Sequence, residues 1–259
     1  MADAMRRGPV QLVLDLPLEA AMGREDFIES PSNAAALALV DRWPDWPSRA
    51  VLLVGPEGSG KSHLVRIWSE RSGAAVAQAV NLTVDAAPRL LGSGALALED
   101  VGRGGLEEAA LFHLFNLARE QDAWLLLTTE RPPAAWPIRL PDLASRLSAA
   151  GRAVLDPPDE TLLRRVLVKL LADRQLAADP AVLDYLVPRM ERSLGATRQI
   201  AMRLDRLTLE RRRPVTRALA AEVLAALAEE ARLGEAGMPR APAAGGAAAA
   251  DDEAASSAR

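Results

Sequence analysis

Gly55-Pro56-Glu57-Gly58-Ser59-Gly60-Lys61-Ser62 is the stretch that decides the fold. It matches G-x-x-x-x-G-K-[ST], a loop whose backbone N–H groups cradle phosphate oxygens. Just ahead, Ala50-Val51-Leu52-Leu53-Val54 is a short apolar run of the kind a buried parallel strand shows. Just behind, Leu64, Ile67 and Trp68 fall at helical intervals. A chance match in a chain this long is on the order of one in a hundred, and the strand and helix on either side lower that further.

The chemistry needs these residue types. Glycines let consecutive N–H groups turn inward around phosphate oxygens, and the N-terminus of the following helix adds a positive end. Lys61 is expected to reach the β and γ phosphates of ATP or ADP, and the Ser62 hydroxyl to hold Mg²⁺.

Composition bounds the rest. The chain has 259 residues with a net charge of −4, which gives no global basic field to draw it onto nucleic acid. Cysteine is absent, excluding a disulfide framework or a thiolate metal site and fitting a reducing cytosol. Gln11, Asp15 and Glu19 interrupt the first twenty residues, which argues against a signal peptide. No apolar run approaches a membrane span, so the expectation is a cytoplasmic protein with no membrane partner.

Residues 1–23 read as a flexible segment containing Gln11-Leu12-Val13-Leu14-Asp15-Leu16-Pro17. This run is either an edge strand ended by Pro17 or an extended motif that docks into a partner's pocket through Gln11, Leu12, Leu14 and Leu16. Residues 24–157 then read as a βα array of about five parallel strands. Ser32 or Asn33 is expected to cap a helix over Ala34–Arg42, and Trp43 and Trp46 read as packing residues. Ala95–Leu98 ends in Glu99-Asp100, where a strand end meets the phosphates. One acid can orient Mg²⁺ and its neighbour can polarise the attacking water; the alternative is a solvated strand end. Trp124–Leu127 ends in Thr128-Thr129-Glu130. There Thr129 either senses the γ-phosphate or simply ends a strand. Asp142–Leu147 is a short helix carrying Arg146.

Residues 158–233 are helical only: an amphipathic helix over Glu160–Arg174, an Asp179-Pro180 start, a helix over Gly195–Arg211, and one capped by Thr216 that runs to about Ala231. Residues 234–259 are low in complexity and read as a disordered tail.

Together these features resemble an AAA+ P-loop NTPase: an α/β domain with a five-stranded parallel sheet, followed by a small all-α lid. More narrowly, residues 24–230 resemble the nucleotide domain of the bacterial replication initiator DnaA. Phe27 with Ser30-Pro31-Ser32-Asn33 is similar to its entry segment, and Gly55 through Ser62 with His63-Leu64 to its phosphate loop. Thr128 through Pro133 resembles its sensor 1 strand end, and Ala144-Ser145-Arg146-Leu147 the segment that carries its arginine finger. Gly195-Ala196-Thr197-Arg198-Gln199-Ile200 resembles its sensor 2, with Arg198 as the sensing arginine. No helix-turn-helix domain is read after the lid, and Gln11–Leu16 resembles a Q-L-x-L-x-L motif that binds the sliding clamp of DNA polymerase. That layout resembles the Hda (HdaA) family.

The resemblance implies a negative regulator of replication initiation. It implies two partners, DnaA and the clamp (the polymerase's β subunit), and no direct sequence-specific DNA binding. It also implies an arginine finger that acts in trans on the ATP of DnaA, with Arg146 as the candidate and Arg152 and Arg139 as runners-up. A finger further implies a subunit interface, so a homo-oligomer is possible. The family's Asp-Asp is here Glu99-Asp100, and the longer Glu99 at the Mg²⁺ position implies slow or absent intrinsic turnover, with ADP or ATP as a switch ligand. The competing expectation is a DNA-binding AAA+ protein of the helicase-loader or truncated-initiator type. A P-loop kinase fits less well, because the C-terminal helices look like a lid.

Overall fold

The computed structural model describes residues 22–103 and 107–236. The clamp-motif residues Gln11, Leu12, Leu14 and Leu16 lie outside them, as does the tail beyond Ala236. The final helix continues through residues 234–236, which the composition assigns to the tail.

Five parallel strands form one sheet: β1 (Ala50–Val54), β2 (Ala75–Gln78), β3 (Ala95–Glu99), β4 (Trp124–Thr129) and β5 (Gly151–Val154), ordered β2-β3-β4-β1-β5. Every residue of β1 is buried, as the unbroken apolar run requires of a strand covered on both faces. Alternate residues serve opposite cores. Leu52, Leu96, Leu98, Leu125 and Leu127 pack with α4 (Glu108–Glu120) and α5 (Pro141–Ala149). Val51, Leu53, Ala95, Ala97 and Leu126 pack with α1 (Ala34–Asp41) and α2 (Lys61–Ser72). The short α3 (Ala87–Leu90) lies between β2 and β3 in the chain.

The tryptophans are packing residues, as expected. Trp46 stacks on Trp68 with centroids 5.2 Å apart, and Trp43 meets Trp68 and Trp124 edge-on. Asn33 departs from expectation. It stands at the N-cap of α1 but makes no capping bond. Instead its side chain accepts from the Ser30 N–H at 2.9 Å and donates to the Ile28 carbonyl at 3.0 Å, fixing the entry segment. A cap leaves one orphan donor served; this arrangement serves two backbone groups of a partly buried loop.

A third core belongs to four helices: α6 (Glu160–Asp173), α7 (Pro180–Leu186), α8 (Leu194–Arg211) and α9 (Arg217–Ala236). Asp159 caps α6 by accepting from Leu162, and Asp179 caps α7 just before Pro180. Thr216 Oγ1 accepts from Leu219 at the start of α9.

Candidate functional site

The glycine loop joins the C-terminal end of β1 to the start of α2, at the strand ends where parallel sheets bind ligands. Gly55 N–H donates to the Thr129 carbonyl at 3.0 Å, tying the loop to the end of β4. Lys61 Nζ donates to the carbonyls of Gly55 and Pro56 at 2.7 and 2.8 Å, which draws the loop around its ammonium. Burial holds the Lys61 ammonium below its ordinary value, while the Asp100 carboxylate opposes that shift. Ser59 Oγ is buried without a hydrogen-bond partner among the described residues, a polar atom in the loop with bonding capacity to spare.

The lid closes directly onto this loop. Leu194 N–H, at the start of α8, donates to the Gly58 carbonyl at 2.9 Å. Gly58 has φ +71°, and a Cβ there would stand 2.1 Å from Ser193 Oγ. Ser193 caps α8 through the N–H groups of Gly195 and Ala196, so its own position is fixed. A cleft of about 250 Å³ lies between loop and lid, lined by Glu57, Lys61, Ser62, Asp100, Arg103 and Arg198 among others.

Arg198 borders the cleft and makes no hydrogen bond or ion pair among the described residues, and burial lowers its pKa from the ordinary value. A half-buried guanidinium with free donors is suited to an anion. His63 lies on the same wall, but its ring turns to the entry segment. Nε2 lies 3.1 Å from the Gly23 carbonyl, and the ring meets Phe27 edge-on at 5.1 Å. Burial lowers its pKa, with the Gly23 bond opposing. Beside it runs a narrow, mostly apolar slot lined by Phe27, Ile28, Leu162, Val166 and Leu194. The slot is strapped across by Lys169 Nζ, which donates to Asp26 at 2.6 Å.

The acidic pair divides. Asp100 lines the cleft, with φ +59° and its N–H donating to Thr128 Oγ1 at 3.0 Å. Glu99 is not among the lining residues. The pairing of Gln78 with Glu99 sets the two side by side, and Gln78 Nε2 donates to Glu99 at 3.3 Å. Of the residues expected around Mg²⁺, Ser62 and Asp100 lie on the wall beside the Glu57 carboxylate, and Glu99 does not. Thr129 stands beside Val54 at the loop's root, but its hydroxyl exchanges hydrogen bonds with the backbone of Arg131.

Arg103 joins the site with no signal in the sequence to announce it. Its guanidinium donates to Glu57 at 2.7 Å and to Glu130, and it lies 3.8 Å from Asp100. Those bonds, that to Glu130 first, raise its pKa.

Arg146 is elsewhere. With Ser48, Arg49, Ala50 and Leu125 it lines a separate cleft of about 310 Å³, at the end of the sheet where β1 and β4 begin. Its guanidinium lies 5.1 Å above the Phe112 ring. Arg139 and Arg152 are exposed, and the Glu108 carboxylate accepts from the backbone N–H groups of Arg139 and Leu140.

No protein-family model matches the chain. It is 28% identical over 243 residues to the chromosomal replication initiator DnaA of Caulobacter sp. strain K31, an alignment covering 82% of this chain and 49% of the relative. The chain thus spans about half the length of the curated relatives it matches. Domain III of Thermotoga maritima DnaA superposes with a TM-score of 0.65 at 22% identity, covering 80% of this chain and 97% of that one. A DnaA structure bound to AMPPCP and single-stranded DNA gives 0.58 at 19%, with coverages of 73% and 66%. A point variant of Thermotoga maritima RuvB gives 0.64 at 16%, with coverages of 80% and 72%. Among the described residues no helix is long and apolar enough to cross a membrane. The fold is that of the AAA+ P-loop NTPases, and the sequence is related to that of the replication initiator DnaA.

Proposed function

We propose that this chain binds ADP or ATP between loop and lid and acts on a second nucleotide held by a DnaA-type initiator. In this reading the loop amides and Lys61 take the phosphates, and Arg198 reaches them from the lid. The narrow slot by Phe27 takes the base side. Ser62 and Asp100 would hold Mg²⁺, whose role when bound is to neutralise phosphate charge. An AMPPCP-bound neighbour of the same fold supports the nucleotide part.

The observation that carries the regulatory part is the position of Arg146. It lies at the strand ends opposite to those that hold the phosphate loop, so it is out of play for the chain's own nucleotide. An arginine in this position serves another molecule's phosphates if it serves any. An arginine finger supplied in trans raises phosphoryl-transfer rates by about 10³–10⁵. Gln11, Leu12, Leu14 and Leu16 then bring the chain to the sliding clamp, as the Hda-like layout implies. Glu99 lies off the cleft wall and accepts from Gln78, which supports a switch ligand over a turnover substrate.

The test follows hydrolysis of ATP preloaded on DnaA, with and without DNA-loaded clamp. Clamp-dependent stimulation that disappears in Gln11→Ala/Leu12→Ala supports the regulator. Salt-sensitive DNA binding with no stimulation supports instead the DNA-binding alternative, which the DNA-bound neighbour keeps in view.

A further inference from the structure

We infer that Arg103 is a built-in counter-cation of the nucleotide cleft, which lets the site hold a nucleoside diphosphate with little dependence on a divalent metal. This rests on the nucleotide reading above. Three carboxylates act on the Lys61 end of the cleft: Glu57 on the loop and Asp100 after β3 in its lining, and Glu130 after β4 just outside that lining. Left alone, they would repel a phosphate chain and create a demand for Mg²⁺. One guanidinium meets all three, at 2.7 Å from Glu57, 3.8 Å from Asp100, and bonded to Glu130.

With Glu130 counted beside the lining residues, the charges balance. Lys61, Arg103 and Arg198 stand against Glu57, Asp100 and the Glu130 that Arg103 holds. Arg103 also couples the loop to the end of β4, so the carboxylates are held in register with the strand that Gly55 grips through Thr129. The guanidinium lies against both wall carboxylates, Glu57 and Asp100, and so competes with the metal for their oxygens. Removing it leaves a net negative wall, which both weakens a polyanion and makes a divalent cation more valuable.

The experiment titrates the full chain with a fluorescent ADP analogue, once in Mg²⁺ and once in EDTA. The wild type is expected to bind with affinities that differ by less than about threefold. Arg103→Ala is expected to weaken binding about tenfold or more in EDTA, with Mg²⁺ restoring most of it; its partly exposed position keeps the effect near one decade. Arg103→Lys keeps the charge and is expected to retain most of the EDTA affinity, and circular dichroism melts of both variants report whether they fold. If the wild type loses binding about thirtyfold or more in EDTA, or if folded Arg103→Ala matches it in both buffers, the inference is wrong while the nucleotide reading stands. If the wild type binds in neither buffer, both fail.

Discussion

Gly58→Ala tests whether the lid truly rests on the phosphate loop. Alanine at φ +71° carries a left-handed penalty of about 1–2 kcal/mol. Its Cβ would also stand 2.1 Å from Ser193 Oγ and 2.8 Å from Ser193 Cβ. The hydroxyl can rotate; the Cβ cannot move without displacing the start of α8. The hydrogen bond from Leu194 N–H to the Gly58 carbonyl goes with it, at about 1 kcal/mol. The sum is about 2–3 kcal/mol against the closed lid, a loss of about 30–150-fold in ADP affinity if closure and binding are coupled. A second substitution separates the steric part from the strain. Ser193→Gly removes both clashing atoms and, as an N-cap change to glycine, costs only a few tenths of a kcal/mol. The double variant is expected to recover at least about 1 kcal/mol, measured by fluorescence titration of the four proteins in a mutant cycle. Additive effects within about 0.5 kcal/mol would refute the reasoning, since the loss would then lie in the loop's own backbone.

Arg198→Ala is expected to weaken ADP binding by about 10–150-fold, the worth of hydrogen bonds to a charged group. Because Arg198 has no partner to lose among the described residues, its melting temperature should stay at or above that of the wild type. The Asp26–Lys169 strap gives a pH signature. Lys169 holds the Asp26 carboxyl below its ordinary 3.8, so the strap's contribution is present above that pH and lost as pH falls through the lowered value. Asp26 in turn holds Lys169 above its ordinary 10.5, so the contribution is complete below that pH and lost only on rising beyond it. Lys169→Met should cost about 1 kcal/mol at pH 7 and reduce the acid-induced fall in melting temperature, as thermal scans from pH 7 to 3 would show. Trp68→Ala should cost about 3–5 kcal/mol in denaturant unfolding, because Trp68 is fully buried against Trp46.

Local pattern made much of this molecule legible. The central strands β1, β3 and β4 announce themselves because a strand covered on both faces must be apolar, as Val51, Leu52 and Leu53 are, whereas the edge strands β2 and β5 leave residues exposed and read more faintly. The helix starts at Asp159 and Asp179 are readable because a cap is a local device. What stayed hidden depends on residues far apart in the chain. Arg103 follows an acidic pair in a glycine-rich stretch with no periodicity, and its partners Glu57 and Glu130 lie 46 and 27 residues away. Ser193 reaches the loop only because the lid folds back onto Gly58. The division of Glu99 from Asp100 follows from the register of β2 against β3, which sets Gln78 beside Glu99, and from the left-handed turn at Asp100. Asn33 had the right residue type for a cap, but the entry segment's backbone claimed both ends of its amide.

The most direct measurement of the central claim is single-turnover hydrolysis of ATP preloaded on DnaA, with DNA-loaded clamp and saturating amounts of this chain, wild type against Arg146→Ala. If Arg146 acts in trans, the variant binds ADP as the wild type does, because Arg146 lies away from the nucleotide cleft, yet loses about 10³-fold or more of any rate increase of that size. Equal stimulation by Arg146→Ala, with its nucleotide affinity intact, would contradict the account and leave the arginine a packing partner of Phe112.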